Sequence, residues 1–238
     1  MIVAILQGRM SSSRLPGKVL KPLVGEPMIY RQIERIERSK TIDKLIVATS
    51  SEPSDDAIEQ FCKASNIECF RGDLNNVLSR YYQGALSVNA TTVVRLTADC
   101  PVIDPNVIDA IVTKHLEEGN DYTSNTRPPT FPDGLDCEVM QFSALEKAYL
   151  EATSDFDKEH VTPFIANHCE IFKVACYQNS KDLSHHRWTV DNSEDFQLVE
   201  FIYNQLYSNN PQFSSDDIYA LLDKHPEVYQ LNRHLVVM

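Results

Sequence analysis

Apolar positions along this chain follow two rhythms. The run Met1 to Leu6 is continuous and rich in β-branched residues, which predicts a buried first strand. After Pro27, Ile29, Ile33 and Ile36 recur at helical spacing and predict a helix reaching Ser39. Lys44 to Thr49 reads as a second buried strand, and Glu68 to Phe70 as a short third one. Between them, Ser54 followed by Asp55 and Asp56 reads as the cap of a helix running to about Ser65. A helix over Asn76 to Ser87, a strand over Thr92 to Leu96 and a helix over Pro105 to Glu118 capped by Asp104 continue the pattern. Strand and helix alternate throughout, and this argues an α/β fold with a mostly parallel sheet and helices on both faces.

The second half is less regular. Tyr122 to Asn125 reads as a strand, while Arg127 to Pro132 is too proline-rich for a sheet centre. Asp133-Gly134 is a turn signal, and in a strand beyond it Asp136 and Glu138 share a face. Helices over Ser143 to Glu151 and Phe156 to Ile165, and a strand over Ile171 to Tyr177, come next. A β-prone run ending at Asp191 leads to helices over Ser193 to Leu206 and Ser215 to Lys224. No composition break marks a linker, so the expectation is a single domain over 1–238.

Composition narrows the function classes. A formal net charge of -12 argues against sequence-independent binding to nucleic acid or to an anionic membrane. No apolar run is long enough for a membrane span. The six cysteines (62, 69, 100, 137, 169 and 176) show no metal or redox spacing and read as reduced thiols, which suits a cytoplasmic protein.

The chemistry begins where the first strand ends. The segment Leu6, Gln7, Gly8, Arg9, Met10, Ser11, Ser12, Ser13, Arg14 to Lys18 contains glycine, three serines, three cations and no acid. Glycine permits close backbone approach, serines donate, and guanidinium forks match phosphate oxygens, so the segment reads as a polyphosphate cradle. The spacing of a Walker A loop is missing. Asp99 follows a buried strand, where a carboxylate can hold Mg²⁺ against phosphates, and Asp191 ends the later β-prone run in the same way. Asp133, Asp136 and Glu138 are three acids in six residues and suggest a polar pocket wall.

Five blocks carry a narrower message: R-M-S-S-S-R-L-P-G-K, R-G-D-L-N-N-V-L-S-R-Y-Y, R-L-T-A-D-C-P-V-I-D-P, F-P-D-G-L-D-C-E and R-W-T-V-D. In this order they resemble the sugar cytidylyltransferases, the superfamily of the CMP-sialic acid and CMP-3-deoxy-manno-octulosonate synthetases, and especially its spore-coat polysaccharide branch. That family usually has Ala where this chain has Gly8, and Gly where it has Ala98. The first change is expected to leave the cradle undisturbed and the second to narrow the approach of a ligand slightly.

The resemblance implies a Rossmann-like nucleotide-diphosphosugar transferase fold and transfer of CMP from CTP to an acidic sugar with release of pyrophosphate. It puts CTP on the cradle and against Arg71, Gly72 and Thr97, with Arg14, Lys18, Asp99 and Asp191 catalytic and the two aspartates on Mg²⁺. It puts the acceptor against Asn125, Asp133, Asp136, Glu138, Glu159, His160 and Arg187, and suggests a homodimer. No residue stands out as a dedicated general base. A glycosyltransferase of related fold and a non-catalytic nucleotide binder remain open as alternatives.

Overall fold

The computed structural model describes residues 1–236. At the centre of the molecule is β1 (Ile2–Gln7), whose residues 3–6 are all buried. A strand flanked on both edges and covered on both faces has no polar side to show, which is why its sequence reads as one apolar run. Its neighbours are β4 (Lys44–Ser50) and β6 (Thr92–Thr97), both parallel to it. Outside β4 lies β5 (Glu68–Gly72), again parallel. On the other side β8 (Glu138–Gln141) runs antiparallel to β6 and pairs with β7 (Tyr122–Ser124), which is followed by β9 (Val174–Cys176). The seven-stranded order is β5-β4-β1-β6-β8-β7-β9. A two-stranded ribbon, β2 (Pro22–Leu23) and β3 (Glu26–Pro27), stands apart from it.

Alternate residues of β1 feed two cores. Val3 and Ile5 pack under α3 (Val77–Ser87), α5 (Phe142–Glu151) and α7 (Pro163–Asn167), while Ala4 and Leu6 pack under α1 (Met28–Ile36), α2 (Asp56–Ala64) and α4 (Pro105–Glu118). A third core gathers Leu23, Val102, Trp188 and Val190 beneath α8 (Ser193–Leu206), α9 (Ser215–Lys224) and α10 (Pro226–Tyr229).

Four expectations shift. The helix expected over 156–165 is two, α6 (Asp155–His160) and α7, separated at Val161 with φ 72°. Pro163 explains the break, since it has no N–H to bond back to Glu159 O and continue the helix. The segment ending at Asp191 is not a sheet strand. Its Trp188 and Val190 fill the third core, and a single bridge joins Arg187 to Asp133. The strand after the Asp133-Gly134 turn starts only at Glu138, so Asp136 lies in the approach to it rather than on its face. Ser54 does not cap α2: a 3₁₀ turn over Pro53–Asp55 precedes that helix, and the Asp55 side chain points inward. Asp104 does cap α4, accepting from Asn106 N at 2.9 Å.

Candidate active site

A cleft of about 730 Å³ opens over the carboxyl ends of the parallel strands, where open α/β sheets place their ligands. Its floor is made by two loops that the sheet brings together. One leaves β1, and its neck closes at Met10, whose carbonyl accepts from Ser12 N and Gly17 N, both at 3.0 Å. Gly17 (φ 72°) then turns the chain into a 3₁₀ turn over Lys18–Leu20 and buries Lys18. The other leaves β6 and carries Asp99, whose backbone carbonyl accepts from Val190 N at 2.7 Å. That bond delivers Asp191 to the same place, although it is 92 positions further along the chain.

Lys18 Nζ stands between the two carboxylates. It donates to Asp191 Oδ1 at 3.0 Å, to Asp99 Oδ2 at 3.2 Å and to Val190 O at 2.6 Å. Burial disfavours its charge, but Asp99 and Asp191 outweigh that and hold its pKa above the usual lysine value. Asp191 also takes Arg14 Nη2 at 3.0 Å and Arg187 Nη2 at 2.8 Å. Desolvation works against the Asp191 carboxylate, yet Lys18, Arg187 and Arg14 hold its pKa below the usual carboxylate range.

Arg187 is the strut behind Asp191. It reaches Asp133 Oδ2 at 2.7 Å and Asp195 Oδ1 at 3.0 Å, and Asp195 is 0% exposed. Asp195 also accepts from Asp191 N, Asn192 N and Asn232 Nδ2, so one buried acid organises the start of α8 and the back of the site. Gly134 lets this wall form. Its φ is 116°, and a Cβ there would lie 2.5 Å from Thr189 N.

The donors suit Mg²⁺ held jointly by protein and substrate. Hard oxygens of Asp99 and Asp191 converge beside Lys18 Nζ, and Asp99 Oδ1 takes only a long bond from the Cys100 thiol at 3.6 Å among the described residues. Among the described residues no group of three or more His, Cys, Asp or Glu forms a metal cage. Two carboxylates completed by phosphate oxygens is an arrangement that Mg²⁺ accepts.

The cleft brings together Gln7, Gly8, Arg9, Ser12, Ser13, Arg14 and Lys18 with Thr97, Asp99 and Asp191, and meets Glu159 and His160 on α6. Other expected site residues face elsewhere. Leu6 is core, and Ser11 is exposed off the cleft wall. Arg71 turns away to pair with Asp56 and Glu59 of α2 and to donate to Ser50 O and Glu52 O. Gly72 stays in the β5 ladder, and the residues past it, Asp73 to Val77, line the cleft instead. Asn125 clamps the β7–β8 connection, donating to Leu135 O at 2.8 Å and accepting from Cys137 N at 2.9 Å.

The acids expected on the acceptor side separate. Glu138 is buried behind the wall, paired with Arg95 and accepting from the Tyr122 hydroxyl; the cleft sees Arg95 rather than Glu138. Asp133 and Arg187 stand behind Asp191, outside the cleft lining. Desolvation raises the Asp133 pKa, and Asp191 and Asp99 add to it while Arg187 opposes. Asp136 is surface-accessible but crowded by protein on most sides; desolvation and the charges of Asp133, Glu138 and Asp99 push its pKa up to about 7.

Sequence reasoning missed Arg95 and Lys158 in the wall, and Asp55 and Asp195 behind the floor. The Asn192-to-Asp195 spacing of a capping box, and the Glu194-Asp195 pair that follows R-W-T-V-D, were the signals pointing to Asp195.

Comparison with known proteins agrees with this architecture. The chain is 32% identical over 233 residues to the spore coat polysaccharide biosynthesis protein SpsF of Bacillus subtilis, covering 95% of each. A solved cytidylyltransferase from Leptospira borgpetersenii superposes with a TM-score of 0.91 at 31% identity, covering 96% of each chain. A CMP:2-keto-3-deoxy-manno-octonic acid synthetase solved with CTP has the same fold, with a TM-score of 0.66 at 18% identity over 86% of this chain and 98% of its own. A family model described as cytidylyltransferase matches residues 3–235, and the chain therefore belongs to the cytidylyltransferase family.

Proposed function

We propose that this protein transfers CMP from CTP to a hydroxyl of an acidic sugar, releasing pyrophosphate, in the formation of a surface or spore-coat glycan. The observation that carries the reading is the convergence of Lys18, Asp99 and Asp191 beneath a loop bearing Arg9 and Arg14. Arg9 and Arg14 are exposed at the cleft; Arg14 would exchange its pairing with Asp191 for triphosphate oxygens, while Lys18 is fixed at the floor. Arg187 keeps Asp191 oriented from behind. An acceptor hydroxyl attacking the α-phosphorus in line would lose its proton to solvent and displace pyrophosphate toward these cations. Such a transfer needs positioning and neutralisation of developing charge more than covalent help. Mg²⁺ held by Asp99 and Asp191 would supply further charge neutralisation at the phosphate oxygens. The family resemblance adds a homodimer to this reading, which sedimentation would test.

Thermal unfolding with CTP, UTP, GTP, ATP and UDP-sugars, each with and without Mg²⁺, tests the reading. A ligand at about 100 times its dissociation constant stabilises by about 2.7 kcal/mol. The expected result is a Mg²⁺-dependent shift greatest for CTP, followed by pyrophosphate release with acidic sugars. Asp99→Asn is expected to keep the fold and lose turnover by at least about 100-fold. A shift with UDP-sugars alone would replace the reading by a glycosyltransferase, and undiminished turnover in Asp99→Asn would overturn the role of that residue.

A further inference from the structure

The β4–α2 junction holds a carboxylate that local pattern assigns to the first turn of a helix. Asp55 is 0% exposed, and its oxygens turn toward the sheet edge instead of the helix. Oδ1 accepts from Met10 N at 2.7 Å, and Oδ2 accepts from Ser50 N at 3.2 Å and from the Ser50 hydroxyl. All three partners are neutral donors. A buried carboxylate is costly unless its oxygens are hydrogen-bonded, and a charged acceptor makes shorter, stronger bonds than a neutral one.

Met10 is the neck of the loop after β1, since its carbonyl takes both Ser12 N and Gly17 N. A continuous path of bonds therefore runs from Asp55 through Met10 and Gly17 to the residue that follows, Lys18. The body of the loop has little packing of its own, because Ser11, Ser13, Arg14 and Pro16 are exposed. We propose that Asp55 is the positioning residue of the 8–17 loop, setting where Arg9, Arg14 and Lys18 stand when a triphosphate arrives. The choice of ligand rests on the CTP reading above; the ordering of the loop does not.

Asp55→Ala and Asp55→Asn separate the possibilities, because Asn keeps an oxygen for Met10 N. Each variant is compared with wild type by limited trypsin cleavage at the Arg14–Leu15 bond and by calorimetric binding of CTP with Mg²⁺ well below its unfolding midpoint. With Ala, cleavage at Arg14 is expected to rise about tenfold and CTP affinity to fall about tenfold, the scale of one lost charge-assisted hydrogen bond. With Asn, whose oxygen still accepts from Met10 N while its amide would face the Ser50 N–H, both are expected to change clearly less than with Ala. Unchanged cleavage and affinity in Asp55→Ala, or faster cleavage spread evenly over distant sites such as Lys114 and Lys147, would overturn the proposal. Should Asp55→Ala fail to fold, Ser50→Ala leaves the carboxylate in place and removes the hydroxyl bond behind it, together with the acceptor of Glu52 N. It is expected to move both readouts in the same direction by about threefold, and no movement there would overturn the proposal as well. If wild type binds no nucleotide, the CTP reading falls and the cleavage comparison alone decides the role of Asp55.

Discussion

Gly8 and Ala98, the two positions expected from the sequence to depart from the family's pattern, form a single contact in the structure. A Cβ built on Gly8 would lie 2.9 Å from the Ala98 methyl and 3.4 Å from Val19 Cγ1. Carbon atoms attract best at roughly 3.5–4.0 Å, so 2.9 Å is well inside the repulsive wall. Neither backbone can yield easily, because Gly8 N donates to Ala48 O at 3.1 Å and Ala98 N donates to Gln7 O at 2.7 Å. The expected cost of overpacking in Gly8→Ala is about 1–3 kcal/mol. Loss of unfolded-chain entropy returns about 0.4–1 kcal/mol, leaving a net destabilisation of about 1–2 kcal/mol. Ala98→Gly alone removes a buried methyl and frees the unfolded chain, at a combined cost of about 1.2–1.8 kcal/mol. In the double variant the methyl simply changes sides and the two entropy effects cancel, so stability should return to within about 0.5 kcal/mol of wild type. Urea unfolding of the four proteins, compared at constant m, reads this coupling directly. If the single costs add in the double variant, the contact does not govern these positions and the reasoning fails.

Two further outcomes follow from where side chains point. Arg71→Ala is expected to leave CTP affinity within about twofold and to cost less than about 1 kcal/mol, since its ion pairs are with half-exposed acids; a tenfold loss of affinity by calorimetry would return Arg71 to the site. Asp104 is held below the usual carboxylate range: burial opposes this, and bonds from the Ser215 hydroxyl, Ser215 N and Asn106 N prevail. A depressed group stabilises above the unfolded value of about 3.9 and loses that contribution as pH falls through its folded value. Asp104→Ala should therefore cost about 2 kcal/mol at pH 7 in chemical denaturation, with the gap to wild type closing below about pH 4. A gap that stays constant with pH would assign the loss to packing instead.

Local chemistry was enough to read the strands β1, β4 and β6, the cap and length of α4, the loop after β1, and Asp99 at the end of β6. Each of these depends on residues within one element, where burial on both faces, a capping preference or a cluster of cations leaves its mark in the sequence itself. The meeting of Asp99, Asp191 and Lys18 is different in kind. It depends on the bond from Val190 N to Asp99 O, which joins loops far apart in the chain. Arg71 illustrates the same limit, because its guanidinium had equally plausible partners in the cleft and on α2, and the choice was made by the packing of α2 against β5. Asp55 read as a first-turn acid behind a Ser54 cap, yet its partners are a strand end and a loop. The pairing of Gly8 with Ala98 likewise exists only across adjacent strand ends. The chain by itself determined which elements form and which residues carry charge. Tertiary structure decided which of those charges face one another, because side-chain direction is set by contacts between elements that no local pattern encodes.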